Sequence, residues 1–164
     1  MTAIFLFPIL AHAQLEQLIF PLDVEVWELS SYTEDAQNGI SIQTFKRKDE
    51  SIEEWSELVE VFNAGKRPFD PSPLDLMYKL KAMRQKRCAS VSWNIIEQRP
   101  DGVIFEANAT GCYQRADELE LGRIIKSRDN TWHVMYVTKV KDLPRDVRDA
   151  WVRWLYDIRV ELFW

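Results

Sequence analysis

The chain has little of what most catalytic and metal sites are built from. Its 164 residues include two histidines and two cysteines, with no Gly-rich phosphate loop, no Gly-x-Ser-x-Gly elbow and no Asp-x-Asp-x-Asp-Gly calcium loop. One histidine and one cysteine pair beyond the N-terminal segment leave too few ligands for a zinc site. A Ser-His-Asp set would need His133 as its general base. We therefore expect no catalytic residues, no metal and no cofactor, and we interpret His133 as a packed or exposed strand residue.

Two further absences concern positive charge and long apolar runs. The formal net charge is −5, whereas a general nucleic-acid binder needs cations to neutralise phosphates. No apolar run approaches the roughly 20 residues that a membrane-spanning helix needs. With 46% hydrophobic residues and seven Trp, the composition predicts one globular domain with no nucleic-acid partner and no transmembrane segment. It leaves the oligomeric state open.

The N-terminal residues have the pattern of a targeting signal. Residues 3–10 are apolar, broken only by one proline, and the small-any-small sequence Ala-His-Ala follows them. This pattern predicts a short signal peptide over residues 1–13 and a single domain over residues 14–164 that begins at Gln14, in the periplasm or secreted. No Lys or Arg precedes the apolar block, which leaves open a true start codon further upstream. The alternative is an apolar strand or helix of the fold itself.

The expected redox state of the two cysteines depends on this compartment. In a reducing cytosol they would be ordinary buried thiols, but in an oxidising space an even pair most simply forms a disulfide. We predict a bond between Cys88 and Cys112, which enclose 23 residues (89–111). Closing a loop of that size is worth about 3 kcal/mol in the chain-entropy model. The chain has no Cys-x-x-Cys pair, so a thioredoxin-like role has no support.

The second half of the chain predicts an antiparallel sheet. Apolar and polar residues alternate on both sides of the turn sequences Arg-Pro-Asp-Gly and Ser-Arg-Asp-Asn. We predict a four-stranded meander from about Ala89 to Val140, of the kind that helices cover on one face. By strict alternation Cys112 lies on the face opposite Phe105. A disulfide to the Phe105 side then needs a bulge at Gly111 or a bond around the sheet edge.

Two helices are expected to cover this sheet, which makes the predicted fold class α+β. The middle helix begins with Ser72 as N-cap, Pro73 in the first helical position and Asp75 in the first turn. The long C-terminal helix follows Pro144, and we interpret Trp151 on its apolar stripe as a core anchor rather than a ligand platform. That stripe has helical spacing and consists of Val147, Ala150, Trp151, Trp154, Leu155, Ile158 and Leu162.

The first half of the chain is less regular. The stretches DVEVWELSSY and GISIQTFKR predict a strand pair joined across TEDAQNG. The stretch from Ser51 to Phe62 supports a helix, because Ser51 and Glu54 form a capping box, and it also supports a strand by its alternation. A short capped turn leading into a strand from about Ser56 reconciles the two, and it adds a third strand to the N-terminal pair.

The stretch EEWSELVEVFN resembles small exported bacterial proteins that carry a Trp-Ser/Thr-Glu motif leading into a β-strand. In that group a helix, a Cys, a meander, a second Cys and a terminal Trp-bearing helix follow. The matching positions span most of the mature chain and are Trp55, Ser56, Glu57, Cys88, Cys112 and Trp151. The resemblance implies an order of elements, similar in architecture to the PsbP/Mog1 α+β sandwich, and no particular chemistry.

Charged residues form two kinds of cluster. A basic cluster near the end of the middle helix complements the helix dipole; its alternative role is an anion-binding face for phospholipid or lipopolysaccharide headgroups. Its members are Lys79, Lys81, Arg84, Lys86 and Arg87. The acidic clusters are interpreted as solvated faces, with an acid-base pair as the alternative. They comprise Glu53, Glu54, Glu57, Glu60, Asp117, Glu118 and Glu120.

Three functional classes follow from these observations. The leading hypothesis is a non-catalytic binding or interaction module of the bacterial envelope, whose partner is an envelope protein or a small amphiphile. The alternatives are an envelope lipid or small-amphiphile carrier and a carboxylate-based hydrolase. A Trp-lined cleft with few polar groups favours the carrier, a buried carboxylate pair favours the hydrolase, and a solid core favours the module.

Overall fold

The computed structural model describes residues 15–65, 71–113 and 116–163. The predicted signal peptide over residues 1–13 lies outside these ranges. The described chain is α+β and mostly strand, as predicted. Its elements are β1 (Leu15–Ile19), β2 (Trp27–Asp35), β3 (Ile40–Arg47), β4 (Glu57–Gly65), α1 (Pro73–Gln85), β5 (Cys88–Arg99), β6 (Gly102–Cys112), β7 (Glu118–Lys126), β8 (Asn130–Thr138), α2 (Arg145–Asp157) and β9 (Arg159–Phe163). Within the described ranges, no helix combines the length and apolarity needed to cross a bilayer.

Seven strands form one antiparallel sheet in the order β2-β3-β4-β8-β7-β6-β5. The predicted meander is confirmed as β5 to β8, and the predicted N-terminal strand pair is confirmed as β2 and β3. Residues 51–56 form a turn in which the Glu54 amide donates to Ser51 Oγ at 3.1 Å, and β4 follows it. The capped turn leading into a strand is therefore confirmed. Strand β4 pairs with β8 along its length, which joins the two halves of the chain.

Helix α1 begins where the sequence predicts. Ser72 is its N-cap and accepts a hydrogen bond from the Asp75 amide at 3.1 Å, with Pro73 in the first helical position. The helix ends at Gln85, three residues before Cys88 opens β5.

The predicted C-terminal helix is too long. Helix α2 ends at Asp157, and β9 follows as an extended segment that pairs with β1 in a second, two-stranded sheet. Ile158 and Leu162 satisfy helical spacing, but together with Val160 they also alternate with period two. These residues form a strand because they pair with β1, where Val160 lies opposite Leu18.

The cysteines form the predicted disulfide, with an S–S distance of 2.09 Å. They are direct partners across β5 and β6, so the bond links two strands of one hairpin. The register runs without a bulge from Ser90 and Thr110 to the cysteines, while Gly111 adopts a φ of 61°. Neither a bulge at Gly111 nor a bond around the sheet edge is needed, because the two cysteines are direct cross-strand partners.

The two faces of the large sheet carry different cores. The α2 face packs a large cluster that includes Val59, Leu121 and Tyr136 against Leu155 and Ile158. The α1 face packs Met77 of the helix into a smaller cluster, which also contains Val103, Phe105, Ala107 and Ile124. Residue 122 of β7 must be glycine, since a Cβ there would lie 2.4 Å from the Phe105 ring.

Candidate functional site

A pocket of about 170 Å³ lies between β1 and the α2 face of the large sheet. We call it the polar pocket. Its floor comes from β3, β4 and β8, and its wall comes from β1 and the residue just after it. The lining residues are Gln17, Leu18, Phe20, Ser41, Gln43, Val61, Asn63 and Trp132.

Strand register places the polar residues of the floor side by side. Ser41 of β3 lies opposite Asn63 of β4, and Asn63 lies opposite Trp132 of β8. Gln43 and Val61 form the adjacent row on the same face. Alternation therefore carries polar side chains onto a face that is apolar further along the strands.

Two residues that line the polar pocket each have a side-chain atom without a hydrogen-bond partner. Asn63 Oδ1 and Trp132 Nε1 are both buried and unpartnered. Leaving a buried donor or acceptor unpaired costs about 1–3 kcal/mol. The indole N–H only donates and the amide oxygen only accepts. A hydroxyl group is able to pair with either kind of atom, because it both donates and accepts.

The wall of the pocket is anchored by Glu16. Its Oε2 accepts hydrogen bonds from Ser127 Oγ at 2.6 Å, the Asp129 amide at 3.1 Å and Asn130 Nδ2 at 3.0 Å. Partial burial opposes ionisation of this carboxyl, but the hydrogen bonds from Ser127, Asn130 and Asp129 outweigh it and lower the pKa of Glu16. The ionised carboxylate thus ties β1 to the turn between β7 and β8.

Aromatic contacts hold the other end of the wall. The Phe20 ring lies 5.6 Å from the Phe45 ring and 6.4 Å from the Trp154 ring, both edge-on. Trp154 Nε1 donates to the Pro21 carbonyl at 3.0 Å. These contacts fix the segment after β1 against α2, so both ends of the pocket wall are positioned by residues outside the pocket.

The α1 face carries a buried ionic cluster, formed by Arg84, Glu118, Glu120 and His133. Arg84 lies 2.5 Å from Glu120 Oε2 and 3.4 Å from Glu118 Oε2. His133 Nε2 lies 3.5 Å from Glu120 Oε1 and has no hydrogen bond. Glu118 and Glu120 are 6% and 2% exposed. The interpretation of these two residues as a solvated face is therefore wrong, because alternation turns them under α1 towards Arg84.

The predicted basic cluster does not share one surface. Arg84 points to the buried carboxylates, Lys81 is half-buried, and Lys79, Lys86 and Arg87 are exposed. Anion binding by the exposed members stays a prediction. Arg84 instead balances the charge of two carboxylates beneath the helix.

Glu57 of the Trp-Ser-Glu motif contacts Tyr136 and Arg47. Its Oε1 accepts a hydrogen bond from the Tyr136 hydroxyl at 2.5 Å, and its Oε2 lies 3.3 Å from Arg47. Burial and then the bond to Glu57 raise the pKa of Tyr136. The Tyr136 ring stacks on Trp151 at 4.0 Å, so this motif residue supports the aromatic core.

Sequence reasoning missed the polar pocket. Ser41, Gln43 and Asn63 belong to none of the motifs that the sequence offers, so no motif in the sequence marks them as a site. The signal was present in β4, where Val59 and Val61 are followed by Asn63 on the same face. A polar residue that continues an apolar alternation marks a point where the core opens or meets a ligand.

In the described ranges, no group of three or more His, Cys, Asp or Glu side chains is placed to hold a metal ion. No family model, curated protein or solved structure matches the chain. The polar pocket and its unpartnered atoms are therefore the grounds on which a function is inferred.

Proposed function

We propose that this chain is a non-catalytic binding module of the bacterial envelope and that the polar pocket is its ligand site. The observation that carries the proposal is the buried, unpartnered pair of Asn63 Oδ1 and Trp132 Nε1. The native fold bears the cost of leaving both atoms unpaired, and a ligand that bonds to both offsets that cost. A few convergent polar groups among apolar walls are the usual form of a small-molecule site.

Residence in an oxidising compartment is part of the proposal. The disulfide between Cys88 and Cys112 supports it, because such bonds persist in the periplasm and outside the cell. The predicted signal peptide over residues 1–13 supplies the route. Mass analysis of envelope material should find a chain that begins at Gln14, and retention of Met1 would contradict export by this peptide.

The two alternative functions have less support. An amphiphile carrier needs an apolar cleft, whereas four of the eight residues that line the polar pocket carry amide or hydroxyl side chains. A carboxylate hydrolase needs carboxylates that face a substrate. Glu118 and Glu120 are buried against Arg84 and do not line the polar pocket.

The proposal is tested by NMR on the oxidised, ¹⁵N-labelled protein, titrated with small neutral and charged fragments. We expect shifts on the indole N–H of Trp132 and on the side-chain amides of Asn63 and Gln43. Substitution Ser41→Trp fills the pocket floor and should abolish these shifts. The control Ile42→Trp adds the same side chain one residue along β3 on the opposite face and should preserve them. Shifts that survive Ser41→Trp, or that never involve Trp132, contradict the proposal.

A further inference from the structure

We infer that the ligand of the polar pocket is an uncharged, hydroxyl-bearing six-membered ring, such as a pyranose or cyclitol. This inference rests on the proposed function and names the ligand class. It follows from the hydrogen-bonding groups, the charge and the size of the pocket.

The hydrogen-bonding groups of the pocket lining favour a hydroxyl group on the ligand. Trp132 Nε1 donates only and Asn63 Oδ1 accepts only, and the two residues are neighbours across β4 and β8. A ligand carbonyl satisfies Trp132 alone, and a ligand ammonium satisfies Asn63 alone. A hydroxyl satisfies both. Ser41 and Gln43 on the next strand offer further donors and acceptors along the same floor, which suits a ligand with several hydroxyls.

The charge of the lining calls for a neutral ligand. Among the described residues, no Asp, Glu, Lys or Arg lines the pocket. Glu16 on the wall strand is engaged by Ser127 and Asn130. Glu34, the strand neighbour of Ser41, is exposed and accepts a hydrogen bond from the Tyr32 hydroxyl at 3.0 Å. A charged ligand in the pocket would lose hydration without an opposite charge to replace it.

The size of the pocket suits one ring. A cavity of about 150 Å³ holds a benzene ring, and the polar pocket measures about 170 Å³. Leu18 and Phe20 on the wall and Val61 on the floor supply apolar surfaces. A sugar ring presents C–H groups on its faces and hydroxyls at its rim, and this lining offers surfaces for both.

The ring has two chemical sources, a free sugar or the end of a glycan. Tyr32 distinguishes them, because it lies opposite Gln43 on the same face and is 53% exposed. An exposed aromatic ring beside the pocket is placed to contact a second sugar residue. If the ligand is the end of a glycan, Tyr32→Ala should weaken the binding of a trisaccharide. If the ligand is a free sugar, the substitution should leave that binding unchanged. Both results support a hydroxyl-bearing ring as the ligand.

The experiment compares ring hydroxyls with other ligand types on the wild-type protein. The probes are D-glucose, D-galactose, myo-inositol and maltotriose, with D-glucuronate as the charged ring and 1-hexanol as the neutral amphiphile. The readout is the Trp132 indole N–H resonance, assigned from Trp132→Phe. We expect the neutral rings to shift it and the other two probes to leave it unchanged.

Matched variants then test the bonding groups. Trp132→Phe removes the donor, Asn63→Leu removes the acceptor, and each should weaken ring binding by at least about tenfold, the effect of one hydrogen bond to a ligand. Trp93→Phe is the control, because Trp93 Nε1 is also buried and unpartnered but belongs to the α1 face. It should leave binding unchanged.

The outcomes separate this inference from the proposed function. If D-glucuronate or 1-hexanol shifts the Trp132 resonance and the neutral rings do not, the ligand class is wrong and the binding function stands. If no probe or fragment shifts it, both are wrong. The wild-type shifts decide this even where a variant fails to fold.

Discussion

The two faces of the large sheet bury polar groups in opposite ways. Under α1, Arg84 forms ion pairs with Glu118 and Glu120, so these buried charges have partners within the protein. Across the sheet, the polar pocket is lined by neutral groups, and Asn63 Oδ1 and Trp132 Nε1 have no hydrogen-bond partner. The internal partners of Arg84 indicate a structural role, whereas the unpartnered atoms beside the pocket support the proposed ligand site.

Unpartnered atoms also occur on the α1 face, but they are placed differently from those beside the polar pocket. Trp93 Nε1 and His133 Nε2 are buried there without hydrogen bonds. The Phe105 ring stacks on Trp93 at 4.7 Å and lies 5.7 Å from His133. The two atoms therefore have a phenyl ring between their side chains. Along the polar pocket the donor and the acceptor belong to residues that are direct partners across β4 and β8.

The largest expected effect comes from the aromatic core of the α2 face. Trp151 contacts Tyr136, Trp27 and Trp154 through ring distances of 4.0, 5.7 and 5.2 Å. Trp151→Ala should lower the free energy of unfolding by about 3 to 5 kcal/mol, because it leaves a cavity among these rings. Denaturant unfolding measures the change, with the exposed Arg153→Ala as control. Equal stability of the two variants would place Trp151 outside the core.

The next effect tests the ionic cluster. Arg84→Ala should lower the free energy of unfolding by about 3 kcal/mol, because it removes the guanidinium from two buried carboxylates. The control on the same helix is Lys79→Ala, whose side chain is exposed. Replacing all three charges, by Arg84→Met with Glu118→Gln and Glu120→Gln, should recover part of the loss. A loss no greater than that of Lys79→Ala would show that the carboxylates do not depend on Arg84.

The disulfide should contribute about as much as Arg84. Reduction is expected to lower the free energy of unfolding by about 2 to 4 kcal/mol, because it frees the loop of the unfolded chain between Cys88 and Cys112. Unfolding with and without reductant measures the difference, and the double variant with both cysteines changed to serine should match the reduced protein. Under the proposed export, protein recovered from the envelope without reductant should show no alkylated thiol under denaturing conditions. Two freely alkylated cysteines would contradict the bond.

The smallest effect is pH-dependent and concerns the pocket wall. The pKa of Glu16 is lowered in the folded protein, so its contribution is present above the ordinary pKa of a glutamate and is lost as the pH falls through the lowered value. Between about pH 6 and about pH 3, the wild type should lose more stability than Glu16→Gln, because only the wild type has the carboxylate that these hydrogen bonds favour. Parallel pH profiles of unfolding for the two proteins would contradict the anchor.

Local signals in the sequence predicted most elements correctly. The cap at Ser72, the capped turn after Ser51 and the meander strands each follow from residues that lie close together in the chain. The predictions failed where two periods fit the same residues. Ile158 and Leu162 fit a helix and a strand equally, and the partner that decides between them, β1, lies more than a hundred residues away in the chain. The prediction that Glu118 and Glu120 are solvated was wrong for a related reason, since their partner Arg84 belongs to another element.

The sequence by itself determined the pieces of this protein: where α1 begins, which segments alternate as strands, and that Cys88 and Cys112 pair. These features depend on capping, turn residues and periodicity, which act over a few residues, and on the presence of a single cysteine pair. Only the tertiary structure decided which polar residues meet. Pairing of β4 with β8 brings Asn63 beside Trp132, and pairing of β1 with β9 supports the wall opposite them. Contacts between remote strands create the pocket, because no local pattern records which strand will lie beside which.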